Sequence, residues 1–92
     1  MSVFVAGTFE DVVGFGLVGA KGAVCETAAE VRAALKAART DPEVAIVLIS
    51  AGPSRLAPHD VEAASIAHDA PIVIVLPEVG TNHAAVEGGD AR

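Results

Sequence analysis

The chain has 92 residues, which is enough for one domain and too few for two. Its formal net charge of −6 argues against a nucleic-acid partner and an anionic membrane surface, because both require a basic face. Its single cysteine, Cys25, excludes an internal disulfide and is typical of a small buried hydrophobe. No apolar run approaches the roughly 20 residues of a membrane helix. We therefore expect a cytoplasmic protein that does not insert into membranes.

Short apolar runs recur along the chain and predict the strands of a sheet. The third and fourth runs are continuously apolar, which is typical of parallel strands covered on both faces. The four predicted strands are residues 3–6, 23–25, 44–49 and 72–76.

The segments between these runs predict three helices. Thr8 is expected to cap the first helix, whose first turn is acidic and therefore favourable for the helix dipole. Thr27 and Glu30 form a capping box that begins the second helix, and Pro42 follows its end. The third helix is predicted from Pro58 to about His68. The buried stripe of the second helix is expected to comprise Ala28, Val31, Leu35 and Ala38.

The alternation of strands and helices predicts an α/β fold. We expect a three-layer, flavodoxin- or receiver-like sandwich: a four-stranded parallel sheet in the order 2-1-3-4, with helices on both faces. Residues 1–77 are assigned to this domain. Residues 78–92 contain three glycines and few large apolar side chains, and are assigned to a short flexible tail.

The segment Gly14-Phe15-Gly16-Leu17-Val18-Gly19 matches the dinucleotide-binding pattern G-x-G-x-x-G. In such a site the glycines follow the first strand directly and open the helix. Here seven residues separate Ala6 from Gly14, and no room remains for a helix after the motif. We therefore expect the three glycines to lie within the first helix, where small residues permit close packing on the sheet.

Other chemistries lack the residues that they need. No P-loop string is present, and the third strand ends at Ser50 without the phosphoacceptor Asp of a receiver domain. His59 and His68 are nine positions apart, so one helix face cannot present both to a metal, and His83 lies in the tail. We expect no catalytic residue, no cofactor and no metal ion.

The pattern as a whole resembles the F subunit of the V-type and archaeal-type ATP synthases, over residues 2–77. The resemblance includes the opening strand, a Gly-Phe-x-Leu-x-Gly element and a last strand bounded by Pro71 and Pro77. It implies that the element serves helix packing or a partner interface. The residues that match it are Gly14, Phe15, Leu17 and Gly19.

The resemblance also implies a function. In that family the subunit is a non-catalytic part of the central stalk that couples and regulates ATP synthesis or hydrolysis and ion transport. Its partners are the coiled-coil rotor subunit and the catalytic head subunits, at the cytoplasmic face of the membrane. The resemblance implies a C-terminal helix, and we expect residues 78–92 to stand in its place.

Two other functions stay open from the residues alone. The first is a stand-alone small-ligand or nucleotide-binding domain, using an anion nest at Gly7, Thr8 and residues 50–52 beyond the ends of the strands. The second is a homo-oligomeric adaptor that uses its helix faces of small residues.

Overall fold

The computed structural model describes residues 2–78, and residues 79–92, nearly all of the predicted tail, lie outside the described residues. Glu78 is the one residue of that predicted tail within the description, and its carboxylate lies 3.0 Å from the guanidinium of Arg55. In chain order, the elements are β1 Ser2–Gly7, α1 Phe9–Gly16, β2 Lys21–Val24, α2 Ala28–Thr40, β3 Val44–Ser50, α3 Ala51–Ser54, α4 Pro58–Ile66 and β4 Ile72–Leu76.

The strands form one parallel sheet in the order β2-β1-β3-β4. Helices lie on both of its faces. Successive side chains of a strand point to opposite faces. On one face, Val3 of β1 and Phe15 of α1 line the same cavity. On the other face, Phe4 and Val73 pack against residues of α2. The predicted α/β class and strand order are confirmed.

The second helix begins as the capping box predicts. The Thr27 hydroxyl accepts a hydrogen bond from the Glu30 backbone N–H at 3.1 Å. The Glu30 carboxylate accepts one from the Thr27 N–H at 3.1 Å and another from the Glu26 N–H at 2.7 Å. Three N–H groups that have no helical partner are thus satisfied at the start of α2.

The main core lies between the sheet and the pair α2 and α4. The strand register places Phe4 beside Val47 and Val47 beside Val73, so these side chains share the face that α2 and α4 cover. The buried residues of the larger cluster are Ala6, Cys25, Val31, Ala34, Ile49, Ala57 and Val61. Of the predicted α2 stripe, Val31 and Ala38 are buried, whereas Ala28 and Leu35 are half-buried against the core.

Several predicted boundaries were wrong. β2 occupies Lys21–Val24 instead of residues 23–25, and α4 ends at Ile66, two residues before His68. The short helix α3 was not predicted, because Gly52 and Pro53 both disfavour helix interiors. Pro53 lies in the first turn of α3, where a backbone N–H has no helical partner, so proline is tolerated there.

Candidate functional site

A polar cluster lies where β1 and β3 end, at the rim at which parallel sheets often bind ligands. The Thr8 N–H donates to the Ser50 hydroxyl at 3.0 Å, and that hydroxyl donates to the Asp11 carboxylate at 2.5 Å. The Asp11 N–H donates in turn to the Thr8 hydroxyl at 3.2 Å. Ser50 is only 2% exposed, and a side chain at Gly7 would overlap its hydroxyl. The polar groups of the cluster therefore bond to one another, and the bond between Asp11 and Ser50 connects α1 to β3.

The cavity above this cluster is poorly suited to an anion. Its volume is about 430 Å³, and the described residues that line it include Glu10 and Glu26 but no basic side chain. The Thr8 N–H, which a phosphate nest would need, already binds Ser50. Carboxylates in a cleft repel phosphate groups, so the geometry disfavours the predicted nest at Gly7 and residues 50–52.

Cys25 borders this cavity but is not arranged as a nucleophile. It is buried, and its thiol lies within 3.6 Å of the backbone carbonyls of Ala23 and Glu30. Burial raises the pKa of the Cys25 thiol, and the negative charge of Glu30 raises it further. The thiolate is the reactive form of cysteine, so a raised pKa makes this group unreactive.

His59 and His68, the two histidines that the structure describes, belong to no candidate metal site. Within residues 2–78, no group of three His, Cys, Asp or Glu side chains is placed to hold a metal ion. His59 and His68 are both exposed, at opposite ends of the α4 region. His83 lies outside the described residues.

The motif glycines do not all lie in the first helix, and the prediction for Gly19 was wrong. α1 ends at Gly16, and Gly19 has a φ of +95° in the turn that follows. The Gly19 N–H donates to the Gly16 carbonyl at 3.0 Å, and the Ala20 N–H donates to the Phe15 carbonyl at 3.1 Å. These two bonds and the left-handed residue form a Schellman motif. Gly19 therefore terminates the helix, because other residues adopt this φ at a cost.

Gly14 and Gly16 lie on α1 but do not create a close contact with the sheet. A side chain built at either position would meet nothing within 4 Å. The tight helix–sheet contact is instead at Gly22 of β2, where a Cβ would lie 2.9 Å from the Val12 side chain. The expectation that the motif glycines permit close packing is thus wrong for these two residues.

The outer side of α1 is apolar and uncovered in the part of the chain that the structure describes. No residue of α1 is buried. Leu17 and Val18, at the end of the helix, are 83% and 82% exposed. Phe9 and Val13 continue the apolar row toward the start of the helix, since residues four positions apart share one side.

The sheet beside α1 is also uncovered by residues 2–78. α1 packs on β1 and β2, whereas Ile72 of β4 is 64% exposed and Ile74 is nearly half exposed. The register places Ile46 beside Ile72 and Leu48 beside Ile74, on the face opposite the main core. A cavity of about 330 Å³ runs between Phe15 and Val18 of α1 and Leu48 of the sheet. We call the following side chains the α1-side apolar surface: Phe9, Val13, Leu17, Val18, Ile46, Leu48, Ile72 and Ile74.

The comparison with known protein families decides the assignment. The family model for the ATP synthase (F/14-kDa) subunit matches residues 3–89 of this chain. The chain belongs to this family of ATP synthase subunits. The resemblance drawn from residues 2–77 is confirmed, and the family match continues to residue 89. No curated protein matches the chain at a significant level.

Membership of this family makes the chain a component of a V/A-type ATP synthase. Its partners are accordingly other subunits of that complex. Among residues 2–78, no helix has the length and hydropathy needed to cross a membrane.

The structure divides the predicted site residues of this family member into different environments. Leu17 is exposed, Phe15 is half-buried beside the cavity, Gly14 faces open space, and Gly19 ends the helix. Sequence reasoning missed the exposed isoleucines of β4. It also missed the exposed apolar residues of α1. For these a signal was present in α1 and the turn after it, where residues 12, 13, 15, 17 and 18 are all large and apolar. One buried face cannot accommodate all of them at helical spacing.

Proposed function

We propose that this chain is a non-catalytic central-stalk subunit of a V/A-type rotary ATPase. It couples and regulates ATP synthesis or hydrolysis and ion transport through protein–protein contacts. Its partners are the coiled-coil rotor subunit and the catalytic head subunits, at the cytoplasmic face of the membrane. It neither binds nucleic acid nor inserts into the bilayer.

The observation that carries this proposal is the family match, which spans residues 3–89. The geometry of the carboxyl-end rim supports a role without chemistry. Ser50 is held by Thr8 and Asp11, and the buried Cys25 thiol has a raised pKa. Neither group is prepared to attack a substrate.

The α1-side apolar surface supports a role in protein contacts. Monomeric proteins rarely expose large contiguous apolar patches, and such patches commonly mark interaction sites. Leu17 of the family motif lies within this surface and is 83% exposed, which supports a role of the motif in partner binding. We therefore assign Leu17 and its neighbours to an interface with another subunit of the complex.

A pull-down from the source organism tests the proposal. The tagged chain, expressed at its native level, is expected to recover the elongated rotor subunit and the catalytic subunits. Leu17→Lys is expected to reduce this recovery, because it places a charge in the apolar surface. Ile66→Lys is the matched control, since Ile66 is similarly exposed but lies on α4, across the sheet. Recovery of neither class of subunit by the unmodified chain would reject the proposal.

The competing function is that of a stand-alone nucleotide- or small-ligand-binding domain. Calorimetry with ATP, NAD and inorganic phosphate separates the two. We expect no heat of binding, because Glu10 and Glu26 line the rim cavity and the Thr8 N–H is already bonded. Saturable binding that is abolished by Ser50→Ala would favour the competing function.

A further inference from the structure

We propose that the open half of the sheet beside α1 binds a single amphipathic α-helix of a partner protein, and that the polar face of this helix is basic. The binding surface is formed by Ile46, Leu48, Ile72 and Ile74, with Phe15 and Val18 as its side wall. The proposal depends on the function proposed above only for the source of the helix.

The width of the open area fits one helix. Neighbouring strands are about 4.8 Å apart, and packed helices are separated by about 8–10 Å. One helix therefore covers about two strands. α1 packs on β1 and β2, so within residues 2–78 the strands β3 and β4 leave a gap of one helix in this layer.

The length of the open area defines a short helix. β4 has five residues and β3 has seven. At about 3.3 Å per strand residue, the apolar rows extend for about 16–23 Å. This corresponds to about 11–15 helical residues at 1.5 Å each. Three to four helical turns can place enough apolar side chains on one stripe to cover Ile72, Leu48 and Ile74.

The excess of acidic residues in the segments that form this surface favours a basic partner. No lysine or arginine occurs in residues 2–20, 42–54 or 70–78, which form α1, β1, β3 and β4 and their ends. The same segments contain Glu10, Asp11, Glu43 and Glu78, of which the Glu78 carboxylate already pairs with the Arg55 guanidinium at 3.0 Å. A second copy of the chain would oppose acidic groups to acidic groups. A helix with lysines or arginines beside its apolar stripe gains complementary charge instead.

Two synthetic peptides of about 14 residues provide the probe, because this length spans the open strands. One has leucines at helical spacing and lysines elsewhere, and the other has glutamates in place of the lysines. The intact chain is expected to bind the lysine peptide and not the glutamate peptide. Ile72→Lys is expected to weaken binding by roughly tenfold or more, as for a central interface residue.

The matched control is Ile66→Lys, because Ile66 is 72% exposed, close to the exposure of Ile72, but lies on α4. This variant is expected to bind the lysine peptide as the unmodified chain does. Equal weakening by both variants would mean that the peptide binds through general charge attraction, and would overturn the proposal. Comparable affinity for the glutamate peptide would overturn it as well.

Methyl NMR of the intact chain identifies the occupant of the surface. The lysine peptide is expected to shift the methyl signals of Leu48, Ile72 and Ile74 and to leave those of Ile66 unchanged. Contacts from residues 79–92 to these methyl groups in the free chain would show that the chain covers its own surface. A dimer in light scattering that Ile72→Lys dissociates would show that a second copy does so. Either result would overturn the proposal.

The peptide experiment tests the helix-binding surface, and the pull-down tests the rotary-ATPase function, so either proposal can be rejected without the other. Peptide binding without recovery of ATPase subunits would retain the helix-binding surface and reject the rotary-ATPase function. Recovery of the subunits by a chain that does not bind the lysine peptide would retain that function and reject this surface.

Discussion

The two sides of the sheet differ in how completely they are covered. On one side, α2 and α4 bury Val31, Val47 and Ile49 almost fully. On the other side, Val5 of β1 is fully buried, but α1 has no buried residue, and Ile72 and Ile74 of β4 are 64% and 45% exposed. Apolar burial is the dominant favourable contribution to folding. Stability therefore comes mainly from the α2 side, which leaves the α1 side available for partners.

The charges follow the same division. Arg32, Lys36 and Arg39 lie on α2, and the Arg32 guanidinium is 3.7 Å from the Asp60 carboxylate of α4. The segments that form the α1-side apolar surface contain acidic residues and no lysine or arginine. A side with exposed charges of both signs is typical of a solvated surface, whereas an apolar side with an excess of one sign of charge is typical of an interface.

The strongest test of this difference replaces isoleucine on each side. Ile49→Ala is expected to lower the free energy of unfolding by about 2–5 kcal/mol, because it opens a cavity in the packed core. Ile74→Ala is expected to cost less than about 1 kcal/mol, because Ile74 is already nearly half exposed. Urea denaturation followed by circular dichroism measures both changes. Equal losses would contradict the assignment of stability to the α2 side.

The second test concerns the cluster that joins α1 to β3. Gly7→Ala is expected to cost about 1–3 kcal/mol of unfolding free energy, because the new methyl group would overlap the Ser50 side chain. Adding Ser50→Gly removes the overlap and is expected to recover part of this loss. Gly52→Ala is the control at the same rim, since a side chain there meets nothing within 4 Å. A loss at position 52 as large as that at position 7 would reject the steric explanation.

The third test compares two motif glycines. Gly19→Ala is expected to destabilise the chain by about 1–2 kcal/mol, because its φ of +95° is strained for alanine. Gly14→Ala is expected to stabilise it by up to about 1 kcal/mol, since alanine favours helices and the site is open. Thermal unfolding of both variants gives the two signs. A loss of stability at both positions would mean that both glycines are packed against other residues. That result would contradict the different environments described here for Gly14 and Gly19.

Local patterns in the sequence predicted the features that depend on neighbouring residues. The capping box at Thr27 and the continuously apolar strands are of this kind, and the flavodoxin-like alternation of strands and helices then predicted the strand order. The role of Gly19 was missed because the sequence alone does not show whether a glycine lies within a helix or ends it. The bonds to the Gly16 and Phe15 carbonyls distinguish them.

The uncovered half of the sheet could not be read from local patterns. β3 and β4 are continuously apolar, which predicted helices on both faces of every strand. In the order β2-β1-β3-β4, α1 is the only one of the described helices on its side of the sheet, and it packs on β1 and β2. The exposed Ile72 and Ile74 do not belong to a core that the described residues complete, which supports the proposed interface at β4.

The smallest expected effect is the pH dependence that Cys25 contributes. Burial raises the pKa of this thiol above its ordinary value of 9.0. The neutral thiol is thus favoured in the folded state. The contribution of this preference to the free energy of unfolding is fully present below pH 9.0. It is lost as the pH rises through the higher folded-state pKa. The unmodified chain should therefore lose more stability between pH 8 and pH 10 than Cys25→Ala does.

The two sides of the sheet can be compared directly with a relocated thiol. In a Cys25→Ala background, Val18→Cys places the thiol at an exposed position of the α1-side apolar surface. A solvated thiol has the same pKa in the folded and unfolded states, so this variant should show the same pH dependence as Cys25→Ala alone. Urea midpoints across the pH range measure all three chains. If the Val18→Cys chain showed the pH dependence of the unmodified chain, position 18 would exclude water as the core does. The difference in burial between the two sides of the sheet would then be wrong.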